Sequence, residues 1–115
     1  MNSNLKQKTQ KPLNNLDYFG VVLASFPKDI EDALGGPDEK DKDGSRWYRE
    51  TSSGNPFILM DMIDGPMEDD FPKDLKKKGI TLFYVVAENE DLSVQAMKEI
   101  SEACACDDKV DVLKN

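Results

Sequence analysis

The sequence predicts an α+β fold: one domain with a mixed β-sheet of about five strands in the order β-α-β-β-β-α-β, and two helices packed on one sheet face. Three observations carry this. The run Gly79-Ile-Thr-Leu-Phe-Tyr-Val-Val-Ala87 is the longest apolar stretch, rich in β-branched and aromatic residues, and reads as an interior strand. Directly after it, Val94, Met97, Ile100, Ala103 and Cys104 recur at spacings of three and four, the period of an amphipathic helix. Before it, two β-prone runs flank Ser52-Ser53-Gly54-Asn55, the signature of a hairpin. At 115 residues the chain suits a single domain able to bury a real core.

Residues 1–16 contain Lys6, Lys8 and Lys11, no acid and no apolar period. They read as a mobile basic tail, with residues 17–115 as the domain. Tyr18 to Ser25 forms a first strand, in which Gly20 marks a bulge or a close backbone approach. Pro27 then suits a first helical turn, Asp29, Glu31 and Asp32 complement its positive end, and Gly35 suits its stop. Phe26, Ile30, Ala33 and Leu34 fall on one face of this short helix. Residues 37–45 read as a charged loop, Arg46 to Thr51 and Pro56 to Ile63 as the hairpin strands, and Phe71 to Gly79 as at most one helical turn. Asp91 is the expected N-cap of the long helix, and Val110 to Leu113 a last strand joined by a parallel crossover. The topology is ferredoxin-like in spirit.

Composition narrows the chemistry. Net charge is −8 and histidine is absent, so Ser-His-Asp and Cys-His pairs and the zinc-protease motif cannot form within this chain. No phosphate-binding glycine loop or dinucleotide fingerprint occurs, and no catalytic motif is recognisable. Strong negative charge disfavours nucleic acid and anionic membranes as partners and favours a protein with a basic surface. No apolar stretch approaches the ~20 residues of a membrane span, and no secretory signal pattern is present. Cys104 and Cys106 lie too close for an unstrained disulfide and lack companions for a zinc site. They read as reduced thiols packing a helix end, which suits a cytoplasmic location.

Three candidate sites stand out. Glu39, Asp41, Asp43, Gly44 and Glu50 occupy positions one, three, five, six and twelve of an EF-hand loop, whose carboxylates converge on calcium. Glu stands at position one and Arg46 at the usual apolar position, and the flanks are not helical, so the pattern is a spacing match alone. No other cofactor is implied. Asp61 and Asp64 end a strand beside Glu68, Asp69 and Asp70, and paired carboxylates there could hold a metal or act as acid and base. Trp47 and Tyr48 sit among charges, with one ring expected in the core and the other near the surface. In character, though not by motif, the chain looks like small acidic inhibitor and immunity proteins. The expectation is therefore a non-catalytic binding protein that docks acidic loops (39–43 and 64–70) on a basic partner. Asp64, Glu68, Asp69 and Asp70 would supply charge, and Trp47 or Tyr48 an aromatic anchor. The alternative is a small regulatory domain binding a metal ion or small ligand. The sequence specifies no oligomeric state.

Overall fold

A computed structural model describes residues 3–62, 65 and 68–104. Its frame is one five-stranded sheet in the order β1-β5-β4-β3-β2, built from β1 (Asp17–Ser25), β2 (Glu39–Asp41), β3 (Gly44–Glu50), β4 (Pro56–Met62) and β5 (Thr81–Ala87). Every described pairing is antiparallel. The α+β class, the single domain and the five strands are as expected, but the sheet is not mixed among the described residues. The parallel pairing rested on Val110 to Leu113, which lie outside the described residues. The likeness to ferredoxin folds is loose, because β2 to β5 form a simple meander and β1 closes its far edge along β5.

The fifth strand lies in the stretch read as a charged loop. Glu39–Asp41 pairs with Gly44 to Arg46 across a two-residue turn at Lys42 and Asp43. Gly44 has φ 142° and packs so closely on β4 that a Cβ would lie 1.8 Å from the carbonyl oxygen of Asp61. Glycine is therefore required where the hairpin crosses the end of β4. The β3–β4 hairpin has the expected register, from Glu50 opposite Pro56 to Gly44 opposite Met62. Gly20 does mark an irregularity: between Tyr18 and Val22, four steps along β1 oppose two along β5.

Helix α1 (Pro27–Leu34) begins on its proline and stops at Gly35, whose positive φ of 81° lets its N–H reach the Glu31 carbonyl at 2.8 Å. Ile30, Ala33 and Leu34 are buried, whereas Phe26 precedes the helix and packs on the opposite sheet face. A five-residue helix α2 (Lys73–Lys77) follows a short 3-10 turn at Glu68–Asp70. The long helix α3 (Glu90–Ala103) starts two residues before expectation, because Asn89 rather than Asp91 caps it by accepting the Leu92 N–H at 2.9 Å. Its most buried face carries Ser93, Ala96, Ile100 and Ser101, so it is rotated from the expected stripe. These small residues let the helix lie close to the sheet, and the Ser93 hydroxyl is satisfied by the Asn89 carbonyl at 3.0 Å.

Alternation along the strands divides the core in two. One face carries Leu23, Trp47, Phe57, Leu59, Phe83 and Val85 under α1 and α3. The other carries Ala24, Ile80, Leu82 and Tyr84, with Phe71 and Leu75 packed on it near α2 and Gly65 close against the Tyr84 ring. Residues expected to form a mobile tail lie against the domain. Within a 3-10 turn at Ser3–Lys6, Leu5 is 2% exposed in the helix-side core. The Thr9 N–H donates to the Tyr48 carbonyl at 2.8 Å. Leu5, the Tyr48 carbonyl and the side chains of Arg49 and Glu50 together hold a segment whose composition is otherwise polar.

Candidate functional site

Part of the charge singled out in the sequence, Glu39, Asp41 and Glu50, is used to hold β2, β3 and the N-terminal segment together. Arg49 is 2% exposed and organises this corner. Its Nε donates to the Leu5 carbonyl at 2.7 Å, and its Nη2 to the Leu34 carbonyl at 2.8 Å and the Gly36 carbonyl at 3.3 Å. Its Nη1 pairs with the Asp38 carboxylate and reaches the Tyr48 carbonyl at 3.0 Å. A guanidinium offers five N–H donors in a fixed fork, so one side chain closes the end of α1, the loop before β2 and the N-terminal segment. In the sequence Arg49 stands beside Trp47 and Tyr48 as a surface contact, since nothing local marks a strand arginine as inward-facing.

On the opposite face, Arg46 Nη2 bridges Glu39 at 3.1 Å and Asp41 at 2.7 Å, and the Tyr48 hydroxyl donates to Glu39 at 2.8 Å. The hydrogen bond from Tyr48, then that from Arg46, holds the Glu39 carboxyl below the ordinary range. Arg46, followed by the Asp43 N–H, does the same for Asp41. Burial, then the bond to Glu39, raises the Tyr48 phenol, and Lys8 lies 5.6 Å from its ring centroid. Glu50 accepts from the Thr9 hydroxyl at 2.5 Å and pairs with Lys11 at 3.7 Å.

The four acids with calcium-loop spacing are therefore not brought to one point. Glu39 and Asp41 share Arg46, Asp43 occupies the hairpin turn, and Glu50 lies six residues along β3 from Gly44, about 20 Å at ~3.3 Å per residue. The loop spacing assumed a compact coil, whereas the chain here is a hairpin and then a straight strand. Among the described residues no cluster of three or more His, Cys, Asp or Glu is arranged to hold a metal ion. Asp61 accepts from the Ser45 N–H at 3.2 Å, and Asp64 lies outside the described residues. Cys104 is buried in the helix-side core, in keeping with helix-end packing, and Cys106 lies outside the described residues.

Trp47, expected as one of two anchors, is the inward ring. It is 3% exposed, donates Nε1–H to the Gly35 carbonyl at 2.9 Å and meets Phe83 edge-on with centroids 6.0 Å apart. It offers no surface to a partner. Tyr48 is buried to its hydroxyl beneath the N-terminal segment, close to the surface as expected but mostly covered.

Glu68, Asp69 and Asp70 share one 3-10 turn. Glu68 accepts from the Tyr84 hydroxyl at 2.8 Å, whereas Asp69 and Asp70 are exposed and enter no ion pair among the described residues. One hollow borders this turn, and a second lies beside Tyr84. The first, about 570 Å³, is lined by Glu68, Asp69, Phe71, Lys73, Lys76 and Lys77 and so mixes two acids with three lysines. The other, about 280 Å³, lies on the sheet face opposite α1 and α3, between Leu16, Asp17, Tyr18, Met60, Met62, Tyr84 and Val86. Tyr18 meets Tyr84 edge-on at 5.6 Å, and burial raises its phenol. This groove escaped the sequence reading because the strands look apolar on both faces, and periodicity does not reveal which face a helix covers.

No protein-family model, curated protein or solved structure matches this chain.

Among the described residues, no helix is long and apolar enough to cross a membrane.

Proposed function

We propose that this is a non-catalytic binding protein, of the inhibitor or immunity type, that docks an acidic surface on a basic protein partner. The observation that supports this reading is the division of its carboxylates. Asp38, Glu39, Asp41 and Glu50 are engaged by Arg49, Arg46 and Lys11, while Asp69 and Asp70 stay exposed and unpaired among the described residues on a turn tied to the sheet through Glu68 and Tyr84. Acids left unpaired on an anchored turn present their charge with little ordering cost and accelerate encounter with a basic surface. The net charge of −8 adds long-range attraction.

The test begins with capture of partners by the tagged protein at low salt and their release at high salt. The affinity of the purified partner is then measured against the triple variant Asp64→Asn/Asp69→Asn/Asp70→Asn. Affinity should fall roughly tenfold or more at low salt, mostly through the association rate, and the difference should shrink as screening increases. Unchanged affinity in the triple variant at low salt refutes the acidic docking.

A further inference from the structure

The N-terminal segment is bound to a corner whose buried polar groups have partners without it. Arg49 Nε donates to the Leu5 carbonyl, and also to the Leu34 carbonyl at 3.2 Å. The Tyr48 carbonyl accepts from the Thr9 N–H, and also from Arg49 Nη1 at 3.0 Å. Tyr48 keeps its N–H on Asp38 and its hydroxyl on Glu39. Lifting residues 3–11 away therefore orphans neither Arg49 nor the Tyr48 carbonyl, which is the condition for a segment to open while the rest stays folded. Among residues 5–12 only Leu5 and Thr9 are buried, so little surface holds the segment down.

The contacts of the segment state what its seat recognises. Leu5 fills an apolar position in the helix-side core. Three residues on, Lys8 lies over the Tyr48 ring, 5.6 Å from the centroid. At Thr9 the N–H meets the Tyr48 carbonyl at 2.8 Å, and the hydroxyl meets Glu50 at 2.5 Å. Lys11 pairs with Glu50 at 3.7 Å and donates to the Gly54 carbonyl in the β3–β4 turn. Residues 1–16 hold three lysines and none of the 23 acids, so a basic segment already lies on an acidic body. That occupant defines the chemistry: an apolar anchor with cations three and six residues later.

We propose that residues 3–11 are a detachable strap, seated on a docking site for a short basic segment of a partner protein with the same spacing. The partner segment displaces the strap and takes over its apolar seat, the Tyr48 carbonyl and ring, and Glu50. Tethering gives the strap a high effective concentration, so a segment lacking the anchor or the cations does not compete with it. The site lies on β3 and does not rest on Asp69 and Asp70.

Two measurements on the full chain test this. In amide hydrogen exchange, Thr9 should exchange at least roughly a hundredfold faster than Val85 in β5, because the strap opens while the sheet stays folded. In peptide binding, a labelled peptide with the sequence of residues 3–11 should bind the Leu5→Ser chain, folded by circular dichroism, roughly tenfold more tightly than the wild-type chain, whose strap fills the site. Lys8→Glu/Lys11→Glu in the peptide should weaken that binding roughly tenfold. Adding Asp64→Asn/Asp69→Asn/Asp70→Asn to the Leu5→Ser chain should leave peptide affinity unchanged at physiological salt, so this site and the acidic docking fail separately. Affinity that falls with those three acids puts the peptide elsewhere and overturns the proposal. Thr9 exchange as slow as that of Val85, or a Leu5→Ser chain that does not fold, makes the segment an integral part of the domain and overturns it too. So does a folded Leu5→Ser chain that ignores the peptide. A concentration-dependent wild-type dimer lost in Leu5→Ser gives the site to the strap of a second copy and overturns the partner reading.

Discussion

Replacing Arg49 with Met should be the most damaging single change outside the apolar core. Methionine keeps much of the arginine stem's volume, so packing is nearly conserved and the loss is electrostatic. The guanidinium leaves behind the Asp38 carboxylate, whose side chain is 14% exposed, and the carbonyls of Leu5, Leu34 and Gly36. Removing one member of a buried pair costs about 3–5 kcal/mol, because the remaining charge is desolvated without compensation. Asp38 retains the Tyr48 N–H at 2.7 Å, which places the expectation near the lower end, about 3 kcal/mol. Against a typical total of about 5–15 kcal/mol, the variant should fold with a clearly lowered urea midpoint. Adding Asp38→Asn to Arg49→Met should recover part of the loss, since a neutral amide is cheaper to leave buried. Urea unfolding followed by circular dichroism gives both numbers. A loss below about 1 kcal/mol, the range of exposed ion pairs, would refute the argument that this corner is organised by a desolvated charge.

Two further outcomes follow from the same corner and its hairpin. Glu39 has a folded-state pKa below its ordinary value, so its bonds to Tyr48 and Arg46 contribute stability that is complete above the unfolded carboxylate pKa and lost as pH falls through the depressed one. Carbon-detected titration should find Glu39 ionised below pH ~4.3 and restored toward that value in Arg46→Met; an unchanged titration in the variant would contradict the assignment. Gly44→Ala should destabilise strongly, because φ 142° and an Asp61 carbonyl 1.8 Å from the new Cβ leave no local adjustment. Loss of the Glu39–Arg46 cross-strand contacts in amide spectra would report it, and a variant with wild-type stability would show that the β2–β3 turn is set elsewhere.

The elements that sequence located well are those fixed by local chemistry. Pro27 and Gly35 bracket α1 because one suits a first turn and the other takes the positive φ of a stop. Ser52 to Asn55 turns the chain between β3 and β4, and the β-branched and aromatic run after Thr81 forms an interior strand. Composition likewise set the negative charge and the want of histidine, which leaves no histidine-based pair within this chain. What the sequence could not determine depends on distant partners. Glu39–Asp41 becomes a strand because Gly44 to Arg46 pairs with it, and the residues between 5 and 11 are held because Arg49 and Tyr48 present a donor and a carbonyl to them. The same holds for the carboxylates, which are indistinguishable along the chain. Only tertiary structure decides that Glu39 and Asp41 spend their charge on Arg46 while Asp69 and Asp70 enter no ion pair among the described residues, and that one sheet face lies under α1 and α3 while Met60 and Met62 belong to the other. Coulomb attraction and burial act through space, and local sequence carries no record of which strand will lie alongside.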